Sequence, residues 1–172
     1  KEDHSHRFIE MINNKELKNI DFNVPGDPSS AAFIITAACL KPGSRLLVKN
    51  ILFNKTRIGF IKTLKSMGGN ITVINKKYRN NELIADLKVE QKKNLKSTIL
   101  NSNEIPLQID EIPILSIAAS FANGLTVFRG LRELTVKESN RLLLINENLK
   151  KIGIKSKIKK YDLYIYGSQD LK

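Results

Sequence analysis

Two stretches of this sequence have residue types and spacing suited to chemistry: Thr135-Val136-Lys137-Glu138-Ser139-Asn140-Arg141-Leu142 and, upstream, Asp110-Glu111-Ile112-Pro113. Thr135, Glu138 and the apolar run Leu142 to Ile145 have the pattern of a capping box, in which the Thr hydroxyl takes the Glu138 amide and the Glu carboxylate reaches back. The pattern predicts a helix starting at Thr135. On such a helix Lys137 and Arg141 stand four apart and Glu138 and Arg141 three apart, so all three crowd one end of one face. A helix start with two added cations suits an anion, and the carboxylate beside it can give or take a proton. Taken as single residues they are ordinary: Asp110 reads as an N-cap, Glu138 as a capping-box carboxylate, and Lys137 and Arg141 as surface charges.

Helices and strands must bring these residues together, and their order is legible. Asp3 to Asn13 reads as a short helix and Lys18 to Val24 as a strand, with a domain boundary near Val24. Asp27 as N-cap and Pro28 at the first helical position open a helix through Ala31-Ala32-Phe33-Ile34-Ile35-Thr36-Ala37-Ala38, which Pro42-Gly43 ends. A strand from Leu46 to Asn50, a helix from Thr56 to Met67 stopped by Gly68-Gly69, and strands at Asn70 to Ile74 and Leu83 to Val89 follow. The second half repeats the order: an Ala-rich helix opened by Asp110 and closed by Asn123-Gly124, a strand from Thr126 to Arg129, the capping-box helix to Ile152-Gly153, and strands at Ile154 to Ile158 and Leu163 to Tyr166. The period is about 80 residues, giving two copies of a β-α-β-α-β-β unit. Each unit has one almost wholly apolar helix, expected to be buried on most sides, with helices inside and sheets outside.

Composition narrows the class. With 172 residues, 41% of them hydrophobic, the chain buries a real core. Its longest apolar stretches fall short of the roughly 18 residues of a membrane span. The first residues, Lys1-Glu2-Asp3-His4, have neither an initiator Met nor an apolar signal region, so the chain reads as a piece of a longer one, and nothing points to export. Cys39 is the only cysteine and lies in an apolar context, as a core residue does. The net charge of +12 comes mostly from lysines scattered among Asn and Ile, without a basic stripe interleaved with aromatics, so nucleic acid and membrane are not expected partners. His4 and His6 lack the neighbouring carboxylates or cysteines of a metal site.

Three segments, VPGDPSSAAF (24–33), DEIPILSIAASFANG (110–124) and LTVKESNRL (134–142), together resemble the 5-enolpyruvylshikimate-3-phosphate synthases of the shikimate pathway; the start, KEDHSHRFI, more loosely resembles the SRDHTE segment of that family. The resemblance runs in order from the first residue to the last. It implies the enolpyruvyl transferase fold, an inside-out α/β barrel of two lobes with three units each. Residues 1–24 would then be the end of one lobe, and residues 25–172 two of the three units of the other, about 25–106 and 107–172. It also implies transfer of the enolpyruvyl group of phosphoenolpyruvate to the 5-hydroxyl of shikimate 3-phosphate, with release of phosphate and without metal or organic cofactor. By match, Asp110 is the base that also contacts the substrate phosphate, Glu138 the proton donor, Lys137 a ligand of the shikimate hydroxyls, and Arg141 a clamp on phosphoenolpyruvate. A guanidinium suits that task because it donates two parallel hydrogen bonds. The implied enzyme is cytoplasmic, a monomer when complete, and inactive as this piece alone, because its site lies between two lobes.

One position departs from the family pattern: Glu2 stands where SRDHTE has an Arg that helps hold the phosphate, so no role is carried over before residue 110. Asp27, Ser29 and Ser30 are read as structural. Two other functions remain open on the residues. UDP-N-acetylglucosamine enolpyruvyl transferase shares fold and donor, although DEIPIL and VKESNRL favour the shikimate enzyme. A non-catalytic basic module binding nucleic acid would show a steep loss of affinity with salt.

Overall fold

The computed structural model describes residue 19 and residues 21–167. In chain order they form α1 (Pro28–Leu40), β1 (Arg45–Leu52), α2 (Gly59–Ser66), β2 (Ile71–Arg79), β3 (Glu82–Glu90), β4 (Ile99–Leu100), α3 (Ile112–Phe121), β5 (Gly124–Phe128), α4 (Arg141–Lys151), β6 (Ser156–Lys159) and β7 (Asp162–Gly167). Short 3₁₀ segments lie at Ser102–Leu107, Ile109–Glu111 and Leu131–Thr135. The helix expected at Asp3 to Asn13 lies outside the described residues. Of the strand expected at Lys18 to Val24, residue 19 and residues 21–24 are exposed and unpaired. Alternation alone makes no strand without a partner edge.

The strands form two sheets, ordered β1-β3-β2 and β4-β5-β7-β6. In each, the strand after the apolar helix pairs antiparallel with the last strand of the set, which pairs antiparallel with the one before it. The likeness extends to the first strand. β4 runs parallel to β5, and in the first half Gly26 makes a parallel bridge to Ile51 of β1. Both halves therefore follow β-α-β-α-β-β, with the leading strand of the first reduced to one bridge. Asn80 and Asn81, with φ of 48° and 62°, turn β2 into β3, the left-handed pair that a two-residue hairpin needs.

α1 packs on β1 and on α3, and α3 packs on β7 and α4, so the apolar helices lie inside and the sheets outside. One core runs through both halves, from Ile35, Cys39, Phe60, Leu64 and Leu87 to Leu115, Phe128, Leu134, Leu142 and Ile165. Burial pushes the Cys39 thiol up to about 12, so it is an inert core residue.

The two apolar helices are not buried all round. Phe33 and Ile34 of α1 are 55% and 51% exposed, and Phe33, with Ile114, Ile117, Ile145 and Ile152, borders an apolar groove of about 300 Å³. Two sheets cover only two sides of a helix pair, and the third side stays open. The register of β6 and β7 also creates something the linear sequence conceals: Lys155 and Lys157 stand over the rings of Tyr166 and Tyr164, at 5.2 and 5.4 Å.

Candidate active site

The starts of α1, α3 and α4 come together at one end of the molecule, and hydrogen bonds join them. α1 begins as its sequence dictates. The Asp27 carboxylate accepts from the Ser30 amide at 2.7 Å and from the Ser30 hydroxyl at 2.8 Å, with Pro28 next to the cap. Burial alone would raise the Asp27 pKa, but these donations from Ser30 outweigh it and leave it lowered.

α3 starts differently from expectation. Asp110 is not its N-cap but lies in the 3₁₀ turn Ile109–Glu111, and the cap residue, Glu111, makes no capping bond with its side chain. Pro113, in the first turn, has no amide to offer a cap. Relieved of capping, the Asp110 carboxylate is half-exposed and accepts from Arg141 Nη1 at 3.2 Å.

α4 starts five residues later than the capping-box pattern predicts, its cap at Asn140 and not at Thr135, and no capping box forms between Thr135 and Glu138. The Thr135 hydroxyl instead donates to the Arg132 carbonyl at 2.7 Å. The cap is Asn140, which accepts from the Leu143 amide at 3.1 Å. Asn140 is the better-placed cap because the first buried position, Leu142, lies within the turn that it opens. Lys137 and Glu138 therefore belong to the loop before the helix, not to its face. Lys137 turns away to Glu133, at 3.2 Å. Glu138 and Arg141 do meet: Glu138 Oε1 accepts from Arg141 Nε at 3.0 Å and from Nη2 at 2.5 Å.

Arg141 thus bridges Asp110 and Glu138, three of the four residues singled out by sequence, while Lys137 holds a separate pair. The hydrogen bonds from Arg141 hold the Glu138 carboxyl below its ordinary pKa, so it is ionised in this arrangement. Chemically the site is a guanidinium whose donors are occupied by two carboxylates, at the start of a helix. An incoming anion that takes the guanidinium frees both carboxylates for proton transfer.

The family model described as EPSP synthase (3-phosphoshikimate 1-carboxyvinyltransferase) matches residues 1–172. The chain belongs to the EPSP synthase family. Among relatives of that family, 3-phosphoshikimate 1-carboxyvinyltransferase of Persephonella marina is 42% identical over 95% of this chain and 38% of its own length. That of Chelativorans sp. is 47% identical over 86% of this chain and 33% of its own. The solved EPSP synthase of Acinetobacter baumannii superposes with a TM-score of 0.81 at 39% identity, over 84% of this chain and 33% of that one. The enolpyruvyl transferase NikO of Streptomyces tendae, 14% identical with a TM-score of 0.52, shares the fold. The chain spans between a third and two-fifths of the curated relatives it matches.

Within this EPSP synthase fold, sequence reasoning missed a second line of contacts. Ser29, read as structural, donates to Glu111 Oε1 at 2.5 Å across 82 positions of sequence. Arg57 donates to the Ser29 hydroxyl at 3.1 Å and meets Asp27 at 3.4 Å. Glu111 is 4% exposed; burial raises its pKa, partly offset by the Ser29 donation. Only the pairing of GDPSS with DE hints at this link, and no local pattern reports a contact made between two units.

Proposed function

We propose that the complete protein containing this chain transfers the enolpyruvyl group of phosphoenolpyruvate to the 5-hydroxyl of shikimate 3-phosphate and releases phosphate. The observation that carries this reading is the Arg141 bridge between Asp110 and Glu138, in a chain of the EPSP synthase family. Asp110 takes the proton of the 5-hydroxyl as its oxygen bonds to C2 of phosphoenolpyruvate. Glu138 gives a proton to the methylene carbon, which becomes a methyl group in the tetrahedral intermediate. Glu138 then takes back one methyl proton as phosphate leaves, which restores the double bond, and the departing phosphate receives the proton held by Asp110. These steps need proton transfer and anion binding alone.

Glu138 must be protonated to act as an acid, and its bonds to Arg141 oppose that. Phosphoenolpyruvate resolves the conflict by taking the guanidinium itself. Its carboxylate or phosphate displaces Glu138 and Asp110 from Arg141 and so removes the hydrogen bonds that oppose protonation of Glu138. Lys137, released from Glu133 by a rotamer change, reaches the shikimate hydroxyls.

The site as described is one wall of a cleft. The open apolar groove beside α1 and α3, together with the share of the relatives' length that the chain spans, supports the reading of residues 25–106 and 107–172 as two of three units of one lobe and residues 1–24 as the end of the other. The complete enzyme is read as a cytoplasmic monomer; among the described residues no helix is long and apolar enough to cross a membrane. The alternative acceptor, a UDP-sugar, has no support in the names of the relatives. The test is phosphate release by the complete enzyme with both substrates. Turnover with a UDP-N-acetylglucosamine acceptor instead of shikimate 3-phosphate would overturn the reading.

A further inference from the structure

Among the described residues, Glu111 is the one carboxylate of the convergent helix starts that is buried, whereas its neighbour Asp110 is half-exposed and pairs with Arg141. A buried carboxylate in place of an apolar residue costs desolvation, and the fold accepts that cost here at the turn that presents the candidate base. Its Oε1 accepts from Ser29 Oγ at 2.5 Å. That same oxygen of Ser29 accepts from Arg57 Nη2 at 3.1 Å, and Arg57 is in turn held by Asp27 at 3.4 Å. The chain of contacts Asp27, Arg57, Ser29, Glu111 thus starts in the first unit and ends in the second. It enters through the start of α1 and the loop before α2, and it ends on the residue adjoining Asp110.

We propose that Glu111, clamped by Ser29 and Arg57, is a positioning residue that fixes the 3₁₀ turn Ile109–Glu111 so that Asp110 meets the reacting hydroxyl. The inference rests on the functional reading above. The turn is short, entered by an i to i+3 bond from the Glu111 amide to the Gln108 carbonyl at 3.1 Å, and α3 gets no side-chain cap from it. The Ser29 clamp ties the turn to the first unit and so resists a rotation about its own axis that would carry Asp110 with it. The charged groups facing Glu111 are Asp110 on its own turn and Arg57 of the first unit. Arg57 is half-exposed at the site's margin and reaches Glu111 only through Ser29.

The experiment uses the complete enzyme with Ser29→Ala, Ser29→Thr, Glu111→Gln and, as a control outside the network, Lys62→Met. A misplacement of about 1 Å at a reacting group costs up to about 10²-fold in rate. Ser29→Ala should lower kcat by about 10- to 10²-fold with little change in either KM, and Ser29→Thr, which restores a hydroxyl, should recover most of the loss. Glu111→Gln, which keeps the shape and an acceptor oxygen, should fall between Ser29→Ala and the parent, and Lys62→Met should match the parent. Unchanged kcat per folded enzyme in Ser29→Ala, with only a lowered Tm, would overturn the inference and leave the enzyme reading intact. So would failure of Ser29→Thr to recover activity. An inactive parent enzyme would overturn the reading and the inference with it.

Discussion

The two halves of this chain have the same strand order and the same alternation of an apolar helix with a polar one, yet only the second joins an arginine to two carboxylates at the start of its polar helix. The difference lies in the connection that enters that helix. In the first half, residues 53–58 lead into α2, whose cap position is Ile58, with no side-chain cap and with Gly59 packed so closely that a Cβ would lie 2.8 Å from the Leu107 carbonyl oxygen. That helix start is closed by packing. In the second half the longer connection of residues 129–140 contains a 3₁₀ turn, an Asn cap and Lys137-Glu138, and it leaves Arg141 free to meet Asp110. A duplicated frame therefore supplies rigidity twice, and a longer loop on one copy supplies the candidate site. The first copy contributes through Ser29 and Arg57 instead, as support from behind.

The largest expected effect sets the halves apart by chemistry. In the complete enzyme, Asp110→Asn and Glu138→Gln should each lower kcat by about 10²- to 10⁴-fold with small changes in KM, because general acid and base groups act in the transition state. Arg141→Lys should mainly raise the KM for phosphoenolpyruvate, since a point charge replaces a two-pronged donor. Full turnover by Asp110→Asn would dissolve the contrast between the halves. On the proposed reading of the site as one wall of a two-lobed cleft, this chain alone should release no phosphate in the same assay.

The next effect tests whether the halves are one folding unit. Phe60→Ala in the first and Phe128→Ala in the second each empty a fully buried site, and each should cost about 3–5 kcal/mol. Since the core runs unbroken between them, either substitution should shift a single urea transition monitored by far-ultraviolet circular dichroism. Two separate transitions, with only one moved, would show that the halves fold independently.

A smaller effect separates positioning from stability at the seam. Burial raises the Glu111 pKa, so near neutral pH its charge opposes folding. A group of this kind favours the folded state below its unfolded pKa and loses that contribution as pH rises through the folded value. Glu111→Gln should therefore leave Tm at pH 7 equal or higher while kcat falls. A large drop in Tm would assign Glu111 to the architecture alone.

The smallest effect belongs to α1. Its cap, Asp27, has a lowered pKa, so its contribution is present above the unfolded value and fades as pH falls through the folded one. Asp27→Ala should cost about 1 kcal/mol near neutral pH, and the gap in Tm between variant and parent should narrow below about pH 4. A gap that stays constant with pH would mean that the carboxylate charge is irrelevant to the cap.

What the sequence by itself determined is the fold class, the order of the helices and the longer strands, and three residues that meet at the site. Asp27-Pro28 is a complete local instruction for a helix start, and the apolar runs of α1 and α3 require an interior position for those helices, because hydrophobic periodicity and capping are written in neighbouring residues. VKESNRL singles out Lys137, Glu138 and Arg141 by residue type and spacing, and the family resemblance carried by DEIPIL adds Asp110. Tertiary structure decided the rest. Thr135 and Glu138 match a capping box, yet the helix waits for Asn140, because burial of Leu142 and Ile145 sets where the axis begins. Lys137 stands four residues from Arg141 but turns to Glu133, since in a loop spacing no longer fixes a shared face. The clamp from Ser29 to Glu111 exists only because two units pack side by side, a relation between distant segments that no local pattern of residues records.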